Sequence, residues 1–166
     1  MPLRFDEKRA TQALSLLLKL SGKPVTLHKL LHLCYLADRK NTIERGMPFI
    51  GTSFIRVPTG PTSVEIYQAI YGIKYFSKYL KVKEYDLKII KDPGDGALTD
   101  HQAEILENLY DKYKDTSNYD IRVYIMSLPE VRKAKLYQII SLEDIWKAES
   151  ISDSEIERFK SLIEQW

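Results

Sequence analysis

The residues best placed to do chemistry are His28 and His32, four apart in a helical stretch, where two imidazoles could reach one metal ion. A zinc protease needs a glutamate directly after the first of such a pair; here that position is Lys29, whose charge opposes a cation. Adding Cys34, the single cysteine, makes no known ligand spacing. Cys34 falls on the most apolar stripe of the same helix, where burial raises a thiol's pKa and makes it inert. The run Asp92-Pro93-Gly94-Asp95-Gly96 carries carboxylates but lacks the regular spacing and terminal glutamate of a calcium loop, and reads as a turn. Asp100 and Glu104 are helix-start charges that suit the local dipole. There is no G-x-S-x-G elbow and no Walker-type phosphate loop. The expectation is a chain with no catalytic residue, no metal and no cofactor, and therefore not an enzyme.

What the chain has in excess is tyrosine, 11 in 166 residues. Tyrosine offers a large apolar face with a polar tip and is favoured at protein interfaces. Most tyrosines border a core, so the site must be narrowed by position. Arg56, Tyr67, Tyr71 and Tyr75 gather near a strand-to-helix junction and are the expected partner-binding residues. A second reading starts from lysine. Lys74, Lys78, Lys81, Lys83 and Lys88 interleave with Tyr75, Tyr79 and Tyr85, and Arg39, Lys40 and Arg45 share one helix end. Such a mixture could serve phosphates and bases. Alternating lysine is also how an edge strand avoids aggregation, and no helix-turn-helix pattern is present.

The elements that must position these residues follow from periodicity. Asp6 caps a helix to about Ser21, which Gly22 and Pro24 stop. Thr26 caps the next, where Leu27, Leu30, Leu31, Cys34 and Ala37 repeat at three and four. Leu33 and Leu36 widen that arc, so this helix should be central and nearly surrounded, ending at Arg45-Gly46. Thr52–Val57 reads as a strand ended by Pro58. Thr59-Gly60-Pro61 reads as a turn, with Pro61 in the first turn of a helix that carries Tyr67, Tyr71 and, on its adjoining side, Ile66, Ile70 and Ile73. Residues 79–91 read as two short strands, or one with an irregular lead, pairing with the strand near Phe54. Thr99-Asp100-His101-Gln102 is a capping box, and Ser117-Asn118-Tyr119-Asp120 a second. Pro129 interrupts the helix after it. A helix or helical turn is expected over Val131–Ile139, and two more open at Ser141 and Ser152. The fold class expected is mainly α: a compact domain of about six or seven helices with two or three short antiparallel strands.

Length suits one domain over residues 1–166, and no repeat or linker divides it. No apolar run approaches a membrane span, and Asp6 and Glu7 spoil a signal peptide. A cytoplasmic address with no membrane partner is expected. Net charge is only +2, but residues 1–90 carry +8, 91–120 carry −5, 121–140 carry +3 and 141–166 carry −4.

Two stretches are more specific. Lys29-Leu30-Leu31-His32-Leu33-Cys34-Tyr35-Leu36-Ala37 resembles the K-L-x-K-L-L-Y-x-A signature of the Panacea domain, or SocA-like antitoxin, family. Gly60-Pro61-Thr62-Ser63-Val64-Glu65-Ile66-Tyr67-Gln68-Ala69-Ile70 is similar to that family's G-P-x-x-x-x-x-Y-x-A segment. Leu98-Thr99 with its acidic helix, and Trp146-Lys147-Ala148, resemble further family elements. The chain departs from the pattern at His32, where a second lysine is usual. It departs again at Met126-Ser127-Leu128-Pro129, which lacks the family's histidine. The resemblance implies a phage-associated antitoxin that neutralises a cognate toxin, encoded by an adjacent gene, through direct contact, or an adaptor that hands it to a protease or chaperone. The competing expectations are a DNA-binding regulator of its own operon and an interaction domain with some other partner.

Overall fold

The computed structural model describes residues 3–72 and 74–165. Eight α-helices run through them: α1 (Glu7–Ser21), α2 (Leu27–Arg45), α3 (Val64–Tyr71), α4 (Asp100–Tyr113), α5 (Asn118–Ser127), α6 (Pro129–Lys133), α7 (Leu142–Ala148) and α8 (Asp153–Glu164). A 3-10 turn covers Phe76–Lys78. Five short strands, β1 (Val25–Thr26), β2 (Ile55–Val57), β3 (Gly60–Thr62), β4 (Leu80–Lys83) and β5 (Asp86–Ile89), form two antiparallel sheets, ordered β1-β5-β4 and β2-β3. The mainly helical class is as the periodicity predicts.

Helix α2 is the axis. Its apolar residues from Leu27 to Ala37 are buried on nearly every side, and α1, α4, α5, α7 and β3 pack around it. A helix so enclosed must satisfy its polar groups internally. Asp38 does so by accepting the backbone N–H groups of Phe49 and Ile50 on Oδ1 (2.8 and 2.7 Å) and of Gly51 on Oδ2 (2.8 Å). That clamp fixes the chain leaving α2, and burial pushes the Asp38 carboxyl up to about 7 against the pull of those donors. Arg39 meets Glu130 at 2.5 Å and Glu149 at 2.7 Å, and Tyr35 donates to Glu130 at 3.0 Å. Trp146 is buried and donates to the Thr42 carbonyl at 3.0 Å, while its ring lies 5.5 Å from Phe159. The Trp-Lys-Ala element thus locks the C-terminal helices onto α2.

The caps are where the sequence puts them. Asp6, Thr26, Thr99, Ser117, Ser141 and Ser152 each accept a backbone N–H two or three residues into a helix, and Thr99 and Gln102 close the full box. At Ser117 only the forward half of a box forms.

Several local expectations differ. Gly60 and Pro61 do not start a helix: they form β3, pairing Val57↔Gly60 and Arg56↔Pro61, and Ser63 caps α3 instead. The hairpin needs backbone that turns at Gly60 (φ 119°), a region glycine alone enters freely. The strands of residues 79–91 pair with β1, not with the strand near Phe54, because Val25 and Thr26 offer Leu87 and Asp86 an antiparallel partner. Val131–Ile139 is helical only to Lys133. From there the chain turns at Leu136 and Tyr137, where Gln138 N–H bonds back to the Lys135 carbonyl (3.0 Å), and Ile139 bridges Ile55. The strand expected over Thr52–Val57 is regular only from Ile55. The place assigned to Ile73 lies outside the described residues.

Candidate functional site

The histidine pair does not converge. His28 is exposed, whereas His32 is buried, with Nδ1 2.8 Å from Asn118 Oδ1 and Nε2 3.1 Å from the Thr59 carbonyl. Burial, with His28 and Arg122 nearby, lowers the His32 pKa despite those two hydrogen bonds. His32 is a joint between α2, the β2–β3 hairpin and the start of α5. Cys34 is fully buried and its thiol is raised well above its ordinary value, chiefly by desolvation. Among the described residues no group of three histidine, cysteine or carboxylate side chains is placed to hold a metal ion. Nor is any described helix long and apolar enough to cross a membrane. The Asp92–Gly96 loop is held by scaffold contacts: Gln12 donates to the Pro93 carbonyl (3.0 Å) and accepts from Ala97 (2.7 Å), and Lys19 pairs with Asp92 at 2.6 Å.

A hollow of about 900 Å³ lies between the start of α1, the end of α2 and the start of α4. Three of its charged residues hold contacts inside the fold. Arg9 donates to the Phe49 carbonyl (2.6 Å), Asp6 caps α1, and Glu7 accepts the Phe76 N–H (3.1 Å).

A second hollow of about 600 Å³ has a different character. Leu27, Leu31, Val57, Pro61 and Val82 line it, and tyrosines flank it: Tyr67 and Tyr71 from α3 and Tyr85 from the tip of the β4–β5 hairpin. Tyr67 is 48 % exposed, Tyr71 58 % and Tyr85 79 %, with Val64 beside them also exposed. Single exposed apolar side chains need no explanation, but a contiguous set around a concavity marks an interaction site. Helix geometry sets the pair: Tyr67 and Tyr71 are four apart on α3, so their rings meet at 4.9 Å between centroids, tilted by 44°. Hydrogen bonding to Tyr67 is the main cause of a raised Tyr71 phenol pKa. The hairpin tip is set by Glu84, whose positive φ of 59° turns the chain between Lys83 and Asp86 and leaves Tyr85 projecting.

Of the residues expected from sequence, Tyr67 and Tyr71 come together at this hollow. Tyr75 does not line it; it is half-buried and its ring lies 4.8 Å from that of Tyr79. Arg56 turns away. Its guanidinium donates to the carbonyls of Ala134 (2.8 Å) and Arg132 (3.3 Å), pinning the segment after α6 to β2. Tyr85 and Val64 are not among the partner-binding residues expected from sequence, although Tyr85 belongs to the lysine–tyrosine mixture read there. The signal for Tyr85 was its place between two alternating strands, where a two-residue turn must expose its side chains.

Residues 27–130, well over half the chain, match the family model described as antitoxin SocA-like, Panacea domain. That span runs from the first residue of α2 to Glu130, the partner of Arg39, and includes the whole tyrosine-flanked hollow. No curated protein and no solved structure matches the chain.

Proposed function

This chain belongs to the antitoxin SocA-like, Panacea domain family, and from that premise we propose that it neutralises a cognate toxin, encoded by an adjacent gene, by direct protein–protein contact at the hollow between α3 and the β4–β5 hairpin. The observation that carries the reading is the contiguous exposure of Tyr67, Tyr71 and Tyr85 around an apolar concavity. Aromatic residues at the edge of a pocket are the usual anchors of a protein interface, since each buries a large area while ordering few rotatable bonds. Their chemistry suits contact and exclusion of water.

Co-expression tests the reading. The neighbouring gene product alone should arrest growth, and this chain should restore it. A neighbour that is harmless alone, or one that stays toxic in the presence of this chain, would refute the proposal.

A further inference from the structure

Strand β4 is the outer strand of its sheet, and its free edge is intact. The register pairs Lys81 with Lys88 and Lys83 with Asp86, and the bond from Ile90 N–H to the Tyr79 carbonyl (2.7 Å) continues the same alternation. In an antiparallel pair, residues that exchange both bonds with the partner strand alternate with residues that point theirs the other way. Tyr79, Lys81 and Lys83 therefore bond inward to β5, while the N–H and C=O groups of Leu80 and Val82 face outward. Among the described residues neither Leu80 nor Val82 has a backbone partner beyond the ladder. Alongside runs an open hollow of about 590 Å³ between this edge and α3, with Ile70, Tyr71 and Ser77 across from Leu80 and Val82. Tyr71 borders both this hollow and the one described above.

The faces of the strand differ. Leu80 and Val82 point toward the core, and Lys81 and Lys83 point out. Lysine on an edge strand discourages aggregation, which accounts for Lys81 and Lys83. It does not account for Lys88, which sits on the central strand β5 directly opposite Lys81. Like charges opposed across a ladder are destabilising, and among the described residues Lys81, Lys83 and Lys88 have no carboxylate within salt-bridge distance. A negative partner would relieve that repulsion.

We propose that the free edge of β4 takes up an extended segment of the partner protein in which apolar and acidic residues alternate. Added as a fourth strand, such a segment would bond to Leu80 and Val82, turn its apolar side chains toward Ile70 and Tyr71, and set carboxylates beside Lys81 and Lys83. Side chains on one face of a strand repeat at about 7 Å, so the two rows match in spacing. A second copy of this chain fits poorly, because edge-to-edge pairing would bring the same lysines together. The inference rests on the reading above for the partner being a protein, and it adds the chemistry by which the partner is recognised.

The test uses the full chain and a short synthetic peptide of alternating valine and glutamate, with a valine–lysine peptide and a single-stranded DNA oligonucleotide as alternative probes. The valine–glutamate peptide should slow hydrogen exchange at the Leu80 and Val82 amides specifically. Val82→Pro removes an outward N–H at an edge, where proline is tolerated, and should abolish that binding. Lys81→Glu with Lys83→Glu should weaken it about tenfold or more, and this pair decides the matter if the proline variant does not fold. Equal binding to both variants, no binding of the acidic peptide, or preference for the oligonucleotide would overturn the inference. The peptide assay involves no toxin, so its outcome is separate from that of co-expression: a chain that takes the peptide but rescues no growth refutes the antitoxin reading and leaves the edge site standing.

Discussion

Glu130 shows how a single side chain can hold this structure. It is buried and faces Arg39 and Tyr35 from α6. A buried pair contributes little net stability when intact, but removing one partner strands the other in a medium that solvates it badly. Glu130→Ala should cost about 3 kcal/mol, and denaturant unfolding would reveal it; a loss below about 1 kcal/mol would mean that Glu149 and water satisfy Arg39 alone. The tyrosines are the opposite case. Tyr67 and Tyr71 are exposed and serve no core, so replacing both by alanine should leave unfolding nearly unchanged, within about 1 kcal/mol, while damaging partner binding. At this scale the sequence is informative about type and poor about direction. Eleven tyrosines announce an aromatic surface, and helical spacing pairs Tyr67 with Tyr71. Nothing local to Arg56 reveals that its guanidinium reaches carbonyls more than seventy residues away.

Between elements, His32 is the point where α2, the β2–β3 hairpin and α5 meet. Its pKa in the fold is lowered below the ordinary 6.5. As pH falls through 6.5 the unfolded chain takes up a proton before the folded chain does, so this group's contribution favours unfolding on the acid side and vanishes above it. His32→Gln keeps an amide in place of the ring and should flatten that part of the stability profile; chemical denaturation from pH 7.5 down to 5 would show the wild type losing ground to the variant. Identical slopes would mean that His32 titrates alike in both states. Gly60 abuts the same ring: a Cβ there would come within 2.8 Å of His32 Nε2, on backbone at φ 119°. Gly60→Ala should therefore cost about 1–3 kcal/mol, measurable by thermal unfolding. The motif around Gly60 and Pro61 was legible as a marker of the fold, yet its role as a hairpin strand was not. Proline fits the first turn of a helix and an edge strand equally well, and only the partner Arg56 decides between them. The same limit applies to Val25–Thr26, two residues too few to show alternation, which become a strand because β5 is beside them.

For the molecule as a whole, three contacts tie the C-terminal helices to α2: Arg39 with Glu130 and Glu149, Trp146 with the Thr42 carbonyl, and Phe159 against Gly46. We propose on that basis that residues 1–166 unfold as one domain; calorimetric and van't Hoff enthalpies should agree, and two resolved transitions would count against it. The central, enclosed α2 and the caps of its neighbours were readable in advance because both are set by spacing within a few residues. The tyrosine-flanked hollow was only half readable, since Leu31, Pro61 and Val82 are brought to it by tertiary contacts that no local pattern encodes. A second exposed set, Tyr119, Val123, Tyr124, Tyr137 and Ile139, lies around α5 and the segment after α6, and supplies a control surface. The most direct test of the account is the affinity of the purified chain for the product of the adjacent gene, measured by calorimetric titration for the wild type, for Tyr67→Ala with Tyr71→Ala, and for Tyr119→Ala with Tyr124→Ala. The account predicts that the first pair weakens binding about a hundredfold or more while the control pair binds as wild type does. Undiminished binding by the Tyr67–Tyr71 variant, or no binding by the wild type, would contradict it.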